Sequence, residues 1–315
     1  MSRYVLTAGE TMGLFAATTT GPLAHCPTAT IGIGGSESNV AIGLARLGTE
    51  VVWCGRTGAD SLGELVRREL RAEGVRVESV VDPDASTGLM VKERPLPTAQ
   101  RVSYYRAGSA GSRLTPADVT DELVAGAAAV HLSGITAAIS ETGRATVRSV
   151  LDRAGRAGIP RSFDVNHRRA LWSDAAAAEH LREVLPEVDL VFAGEDEARL
   201  VLPDESDPSA LARGLVGLGA RAAVVKCGER GAVACVDGRV TTAPAVPVPV
   251  LDTVGAGDAF VAGYLAEFVL GRPFAECLRT ATTTGAFACT VPGDWEGLPR
   301  RGDLDLLAGG DPVRR

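Results

Sequence analysis

DTVGAGDAF, residues 252–260, decides how the rest of the chain is read. Gly255 and Gly257 remove the side chains that would keep another group from the backbone, and Asp258 follows at once. Beyond it Phe260, Val261, Tyr264, Leu265, Phe268 and Val269 recur at helical spacing, until Gly271 and Pro273 stop the run. The spacing predicts a helix whose opening residues, Gly255, Ala256 and Gly257, offer bare backbone N–H groups as an anion site. The same residues also suit a plain helix start with Asp258 as its N-cap.

A second glycine motif lies near the front: GIGGSESNVAIGLARLG, residues 32–48. Gly34 and Gly35 precede a helix whose first turns carry Ser36, Glu37, Ser38 and Asn39. The dinucleotide fingerprint G-x-G-x-x-G is broken, because Ser36-Glu37-Ser38 stand where its last glycine would be. Polar side chains beside a glycine pair suit recognition of hydroxyls at close backbone approach; a glycine turn with helix caps is the plainer alternative.

Between the two motifs, short β-rich runs alternate with Ala- and Leu-rich helical segments, the pattern of a doubly wound α/β fold. VVWCGRTG (51–58) reads as a strand and SLGELVRRELRAEG as a helix ending at Gly74. AAVHLSG (128–134), RSFDVNH (161–167), DLVFAG (189–194) and AAVVKCG (222–228) read as buried strands, each leading into a helix. Parallel sheets hold ligands at the carboxyl ends of their strands. Chemistry is therefore expected at His131–Gly134, Asn166–Arg168, Gly194–Glu197 and Lys226–Gly231. Residues 11–33 and about 86–108 break the rhythm with alternating strands; STGLMVKERP and QRVSYYRAG suggest a hairpin around Pro95 and Pro97, and a lid over one domain spanning 1–315.

Composition narrows the function classes. The 315 residues are 45% hydrophobic with a small positive mean hydropathy, ample for a large core. The formal charge is -7, and no Lys/Arg run is long enough to track a nucleic acid backbone. MSRYVLTAGE enters a strand-like run without the segments of a secretion signal, and no stretch has the length of a membrane span. Cys26, Cys54, Cys227, Cys235, Cys277 and Cys289 are scattered, which argues for buried thiols in a reducing cytoplasm rather than a zinc site or a disulfide framework.

Taken together, GIGGSESNVAIGLARLG and DTVGAGDAFVAGYL resemble the PfkB, or ribokinase-like, family of carbohydrate kinases, along nearly the whole chain. That resemblance implies a Rossmann-type layered α/β/α body with a small β-sheet lid. It implies ATP and Mg2+ as the phosphoryl donor, with Asp258 as the base that takes the proton of a sugar hydroxyl. Gly255, Ala256 and Gly257 then resemble an anion hole for the charge developing on the phosphoryl group. The family's N-x-x-E motif falls on GEDE (194–197), so Glu197 would meet Mg2+ through water, with Gly194 in place of the usual polar residue. KCGERG (226–231) resembles a nucleotide-binding K-x-G-x-x-G and assigns Lys226, Gly228 and Gly231 to ATP; a β-hairpin turn is the alternative. Asp252 would hold a monovalent cation such as K+, as in some relatives, and adenine contacts would come from around Thr284–Ala288.

RVSYYRAGSAGSRL (101–114), HLSGITAAIS (131–140), FDVNHRRALWS (163–173) and GDWEGLPRRGDLDLL (293–307) are similar to segments of 2-keto-3-deoxygluconate kinases. That likeness implies sugar-acid contacts from Gly34, Gly35, Asn39, Tyr104, Arg106, Ile135 and Arg168, with the two arginines forking onto a carboxylate. Met90 stands where close relatives can carry an aromatic lid residue. A neutral-sugar kinase for fructose or ribose, and a non-catalytic sugar or nucleotide sensor, stand beside this reading. Exposed lid edges suggest a homodimer or higher oligomer.

Overall fold

The computed structural model describes residues 3–96 and 99–307. In chain order it forms β1 (Tyr4–Ala8), β2 (Met12–Thr20), β3 (Ala29–Gly34), α1 (Ser36–Arg46), β4 (Val51–Gly58), α2 (Ser61–Ala72), β5 (Arg76–Asp82), β6 (Leu89–Leu96) and β7 (Ala99–Tyr105). There follow α3 (Asp121–Ala125), β8 (Ala127–Ser133), α4 (Gly134–Ile139), α5 (Glu141–Arg156), β9 (Arg161–Asp164), α6 (Asp174–Val184), β10 (Leu190–Gly194) and α7 (Glu195–Ala198). The chain continues through α8 (Pro208–Gly217), β11 (Ala222–Lys226), β12 (Ala232–Val236), β13 (Arg239–Ala243), α9 (Ala256–Phe268) and α10 (Phe274–Ala288).

The large sheet has the order β13-β12-β11-β10-β9-β8-β1-β4-β5, parallel from β11 to β5 and antiparallel in its last two strands. Its central strands are apolar on both faces because helices cover both, while the edge strands β5 and β13 are partly exposed. Leu190 and Phe192 of β10 pack with α1, α2, α9 and α10, whereas Val191 and Ala193 pack with α5, α6 and α8. This period-2 split makes a layered α/β/α body. The strand order reverses between β1 and β8, the place where such folds leave a crevice at the strand ends. AAVVKCG departs from the expected strand-to-helix rhythm: β11 turns through a 3-10 segment at Gly228–Arg230 into antiparallel β12. RSFDVNH is a strand only over Arg161–Asp164, since Asn166 takes a left-handed backbone with φ 38°.

The second sheet, β3-β2-β6-β7, is built from the two stretches with alternating pattern, its outer pairs antiparallel and β2–β6 parallel. Met12, Leu14 and Met90 form its small buried cluster, with Ala16 and Val102 packed against them. Pro95 lies in β6 and Pro97 outside the described residues.

α9 is apolar almost all round because it is enclosed, packing on α10 and α1 and through Phe260 and Tyr264 on Phe192. Each fully buried side chain there, such as Val261 or Leu265, contributes roughly 1.5–3 kcal/mol of transfer free energy. No helix among the described residues is long and apolar enough to cross a membrane. The six cysteines are free thiols, but only Cys54, Cys227, Cys235 and Cys277 are buried; Cys26 and Cys289 are partly exposed, at the margins of the small sheet and of α10.

Candidate active site

At the start of α9 the N-cap is Gly255, not Asp258. Gly255 has φ 74°, and a Cβ there would overlap the Asp294 carbonyl, so only glycine lets the loop turn this tightly into the helix. Asp258 is the third residue of the helix. It caps nothing and points inward, with 8% of its surface accessible. Its Oδ1 accepts a hydrogen bond from Ser36 Oγ at 2.8 Å, and its Oδ2 accepts one from Asn39 Nδ2 at 2.8 Å. Asn166 Nδ2 donates to Ser36 Oγ at 2.7 Å and closes the network. Burial pushes the Asp258 carboxyl up to about 6, against the pull of Asn39, Ser36, Arg168 and Lys226.

The two glycine motifs thus meet: Ser36 and Asn39 come from the first turn of α1, Asp258 from the first turn of α9. α1 is fixed from beneath by Glu37, which is buried and accepts hydrogen bonds from Ser133 Oγ and Thr136 Oγ1, both at 2.6 Å. Gly35 packs its α-carbon on the Glu10 carbonyl, where no side chain fits. Gly34 is covered by Met90 and Asp294 and does not reach the cavity wall.

A cavity of about 510 Å³ opens over Asp258. Its walls include Gly35, Asn39, Tyr104, Arg106, Ile135 and Arg168, so most of the residues expected for a sugar do converge. The two arginines differ in state. Arg106 Nε donates to Glu10 Oε2 at 2.7 Å, and that pair is 10% and 0% exposed at its side chains. Glu10 also accepts a hydrogen bond from Ser109 Oγ. The Arg168 side chain is exposed, and among the described residues no ion pair or hydrogen bond engages its guanidinium. Arg169, its neighbour, is instead paired with Asp174.

A second cavity of about 760 Å³ adjoins the first and shares Lys226, Thr253 and Gly257 with it. Gly228, Gly231 and Ala256 line it, with an apolar wall of Val246, Pro247, Val248, Val250 and Phe260. Of the segment 284–288, Gly285 and Ala286 face this cavity; Thr284 turns away and donates to the Ala259 carbonyl at 2.8 Å. At the junction Lys226 Nζ donates to Asp164 Oδ1 at 2.7 Å. Burial pushes the Asp164 carboxyl up to about 6. Burial also works against the Lys226 ammonium, but Asp164 and Glu197 outweigh it and hold its pKa above the ordinary value.

Glu197 faces the first cavity with both oxygens engaged: Oε1 accepts from the His167 amide at 2.8 Å and Oε2 from the Gly194 amide at 2.6 Å. Gly194 serves here as the N-cap of the short helix α7. Asp252 lies apart from Asp258, 2% exposed at its side chain, with Lys92 Nζ on its Oδ2 at 2.8 Å. Ser36 and Asn166 fall in stretches where the sequence pointed to chemistry, whereas Glu10, Asp164 and Lys92 were not singled out from the sequence. Asp164 is the last residue of its strand, at the carboxyl end, a usable signal; nothing local marks Lys92 or Glu10.

Residues 2–301 match the family described as pfkB family carbohydrate kinase. Over 88% of both chains the protein is 36% identical to a 2-dehydro-3-deoxygalactonokinase of Haloferax volcanii. It is 34% identical to a 2-dehydro-3-deoxygluconokinase of Bacillus subtilis, over 96% of this chain and 95% of that one. A fructokinase of Klebsiella pneumoniae is 33% identical over 90% and 92%. The crystal structure of a PfkB protein from Polaromonas sp. JS666 superposes with a TM-score of 0.88 at 33% identity, covering 96% of this chain and 99% of that one.

Proposed function

The chain belongs to the pfkB family and is a carbohydrate kinase; from that premise we propose that it phosphorylates the terminal hydroxyl of 2-keto-3-deoxygluconate with Asp258 as general base. The observation that carries this reading is the position of Asp258: a buried carboxylate, held by two donors, on the wall of the first cavity and next in the chain to Gly257, which both cavities share. The 510 Å³ cavity takes the sugar acid and the apolar-walled one takes ATP, with the adenine against Phe260 and Ala286.

Asp258 accepts the hydroxyl proton as the alcohol oxygen bonds to the γ-phosphorus and the bond to the β-phosphate bridging oxygen breaks. The amides of Gly255 and Gly257, free of intrahelical acceptors, stabilise the charge on the transferred group, joined by that of Ala256 once it leaves the Thr253 carbonyl, to which it donates at 3.3 Å. Lys226, held by Asp164, adds a fixed positive charge at the junction. Magnesium, when bound with the nucleotide, would supply neutralisation of phosphate charge. Glu197 and Asp164 are the carboxylates that would hold it, and because their oxygens are already engaged they suit contact through water.

Arg168 supports the sugar acid: it is an unpaired guanidinium on the cavity wall, apt for a carboxylate. The Arg106–Glu10 pair favours a second reading, a neutral sugar such as fructose, since it takes one of the two expected cations out of play. Coupled ADP release across a panel of sugars and sugar acids separates them. The sugar acid should be preferred, and Arg168→Ala should raise its KM by about 10- to 100-fold, the worth of a charged hydrogen bond. Fructose preferred by the intact protein, with Arg168→Ala silent, would leave a kinase without a carboxylate clamp.

A further inference from the structure

Lys92 lies on the cavity side of β6, in register with Val102 and two residues from Met90. Its side chain is 10% exposed, and its ammonium reaches across to the body at the start of the DTVGAG loop. There it donates to Asp252 Oδ2 at 2.8 Å and stands 3.6 Å from Asp294 Oδ1. Asp252 is otherwise committed to the loop: Oδ1 accepts from the Val254 amide at 3.0 Å, and Oδ2 from the Gly293 amide at 3.3 Å. Asp294 in turn places its carbonyl against Gly255. One ammonium therefore bridges the two carboxylates that shape the turn into α9.

The K+ that the family resemblance implies does not fit these residues. It would have to lie on the Asp252 carboxylate, which already holds a primary ammonium and two amides, and like charges at such range repel strongly where water is scarce.

We propose that Lys92 is a built-in cation, a positioning residue that orders the loop of residues 252–257 and makes this protein independent of K+. The inference rests on reading that loop as the phosphoryl-binding one. Because Lys92 belongs to the small sheet, the sheet delivers this charge when it lies over the body.

The first test needs no turnover. Crystals of the intact protein grown with RbCl in place of KCl should show no anomalous peak within coordination distance of Asp252, with the Lys92 ammonium in contact instead. Initial ADP-release rates in KCl, NaCl and tetramethylammonium chloride should agree within about two-fold once ionic strength is matched. Lys92→Met should lose about ten-fold or more in tetramethylammonium chloride, because a buried carboxylate is left unpaired, and recover several-fold in KCl. Lys92→Arg should stay indifferent to the salt. A rubidium peak at Asp252 with Lys92 displaced overturns the proposal, as does a several-fold stimulation of the intact protein by K+, or full activity of Lys92→Met without it. If Lys92→Met does not fold, the rubidium map decides; if no sugar is phosphorylated, the functional reading fails while the map still judges this one.

Discussion

Asp258 shows how one side chain is tuned by what surrounds it. Burial raises its pKa to about 6, and Asn39, Ser36, Arg168 and Lys226 keep it from rising further. A base must be ionised to act, so kcat/KM should fall as pH drops through about 6, with the limb read from a pH–rate profile at fixed ATP. Asp258→Asn should leave sugar binding measurable and cut kcat by roughly two to four orders of magnitude, the usual share of a general base. Near-normal turnover in that variant would remove Asp258 as the base. Arg106 illustrates the opposite case, a residue whose partner the linear order hides. Glu10 follows the first strand and Arg106 the last strand of the small sheet, 96 positions away. Truncating Arg106 to Ala should destabilise the protein by about 3 kcal/mol in denaturant titration, since Glu10 is then a buried unpaired charge. Pairing it with Glu10→Gln should restore much of that loss.

Among elements, α9 and its glycine turn are the most demanding. Gly255→Ala forces a side chain into φ 74° and into the Asp294 carbonyl. It should lower kcat by about 100-fold or more while far-UV circular dichroism stays unchanged, the cost expected when anion-hole donors are displaced. The course of α9 was legible in the spacing of Phe260, Val261, Tyr264 and Leu265, because an apolar repeat survives whatever packs on it. So were β4, the strand that begins β11 and the alternating small sheet. Less legible were the features set by other segments. The local reading of Asp258 stayed open to a plain N-cap because the donors that claim it, Ser36 and Asn39, lie more than 200 positions away. The 226–231 turn was open between hairpin and ligand loop, and it is a hairpin that lines a cavity. Lys92 read as an ordinary strand residue, since its pairing with Asp252 depends on how two sheets approach.

For the molecule as a whole, the site carries a stability cost. Asp164, Asp258 and Asp294 each sit at about 6 against an ordinary 3.8, mainly through burial. A raised folded-state pKa means the native protein holds these protons more tightly than the unfolded chain does. Their contribution is therefore fully present below about 3.8 and is lost as pH rises through about 6. Asp258→Asn should consequently melt higher than the parent, with a gap that widens from pH 5 to pH 7 and amounts to no more than about 3 kcal/mol. Thermal unfolding of the ligand-free proteins at those two pH values checks the sign; a gap that narrows would contradict it. One feature of the small sheet reaches further. Its two hairpins come from separate parts of the chain and are joined through the parallel β2–β6 seam, and each hairpin returns to the body at both ends. A protease nick within residues 21–28 therefore severs the polypeptide without freeing a flap: both stumps stay rooted, and the cover would act as a lintel resting on four posts rather than a door on one hinge.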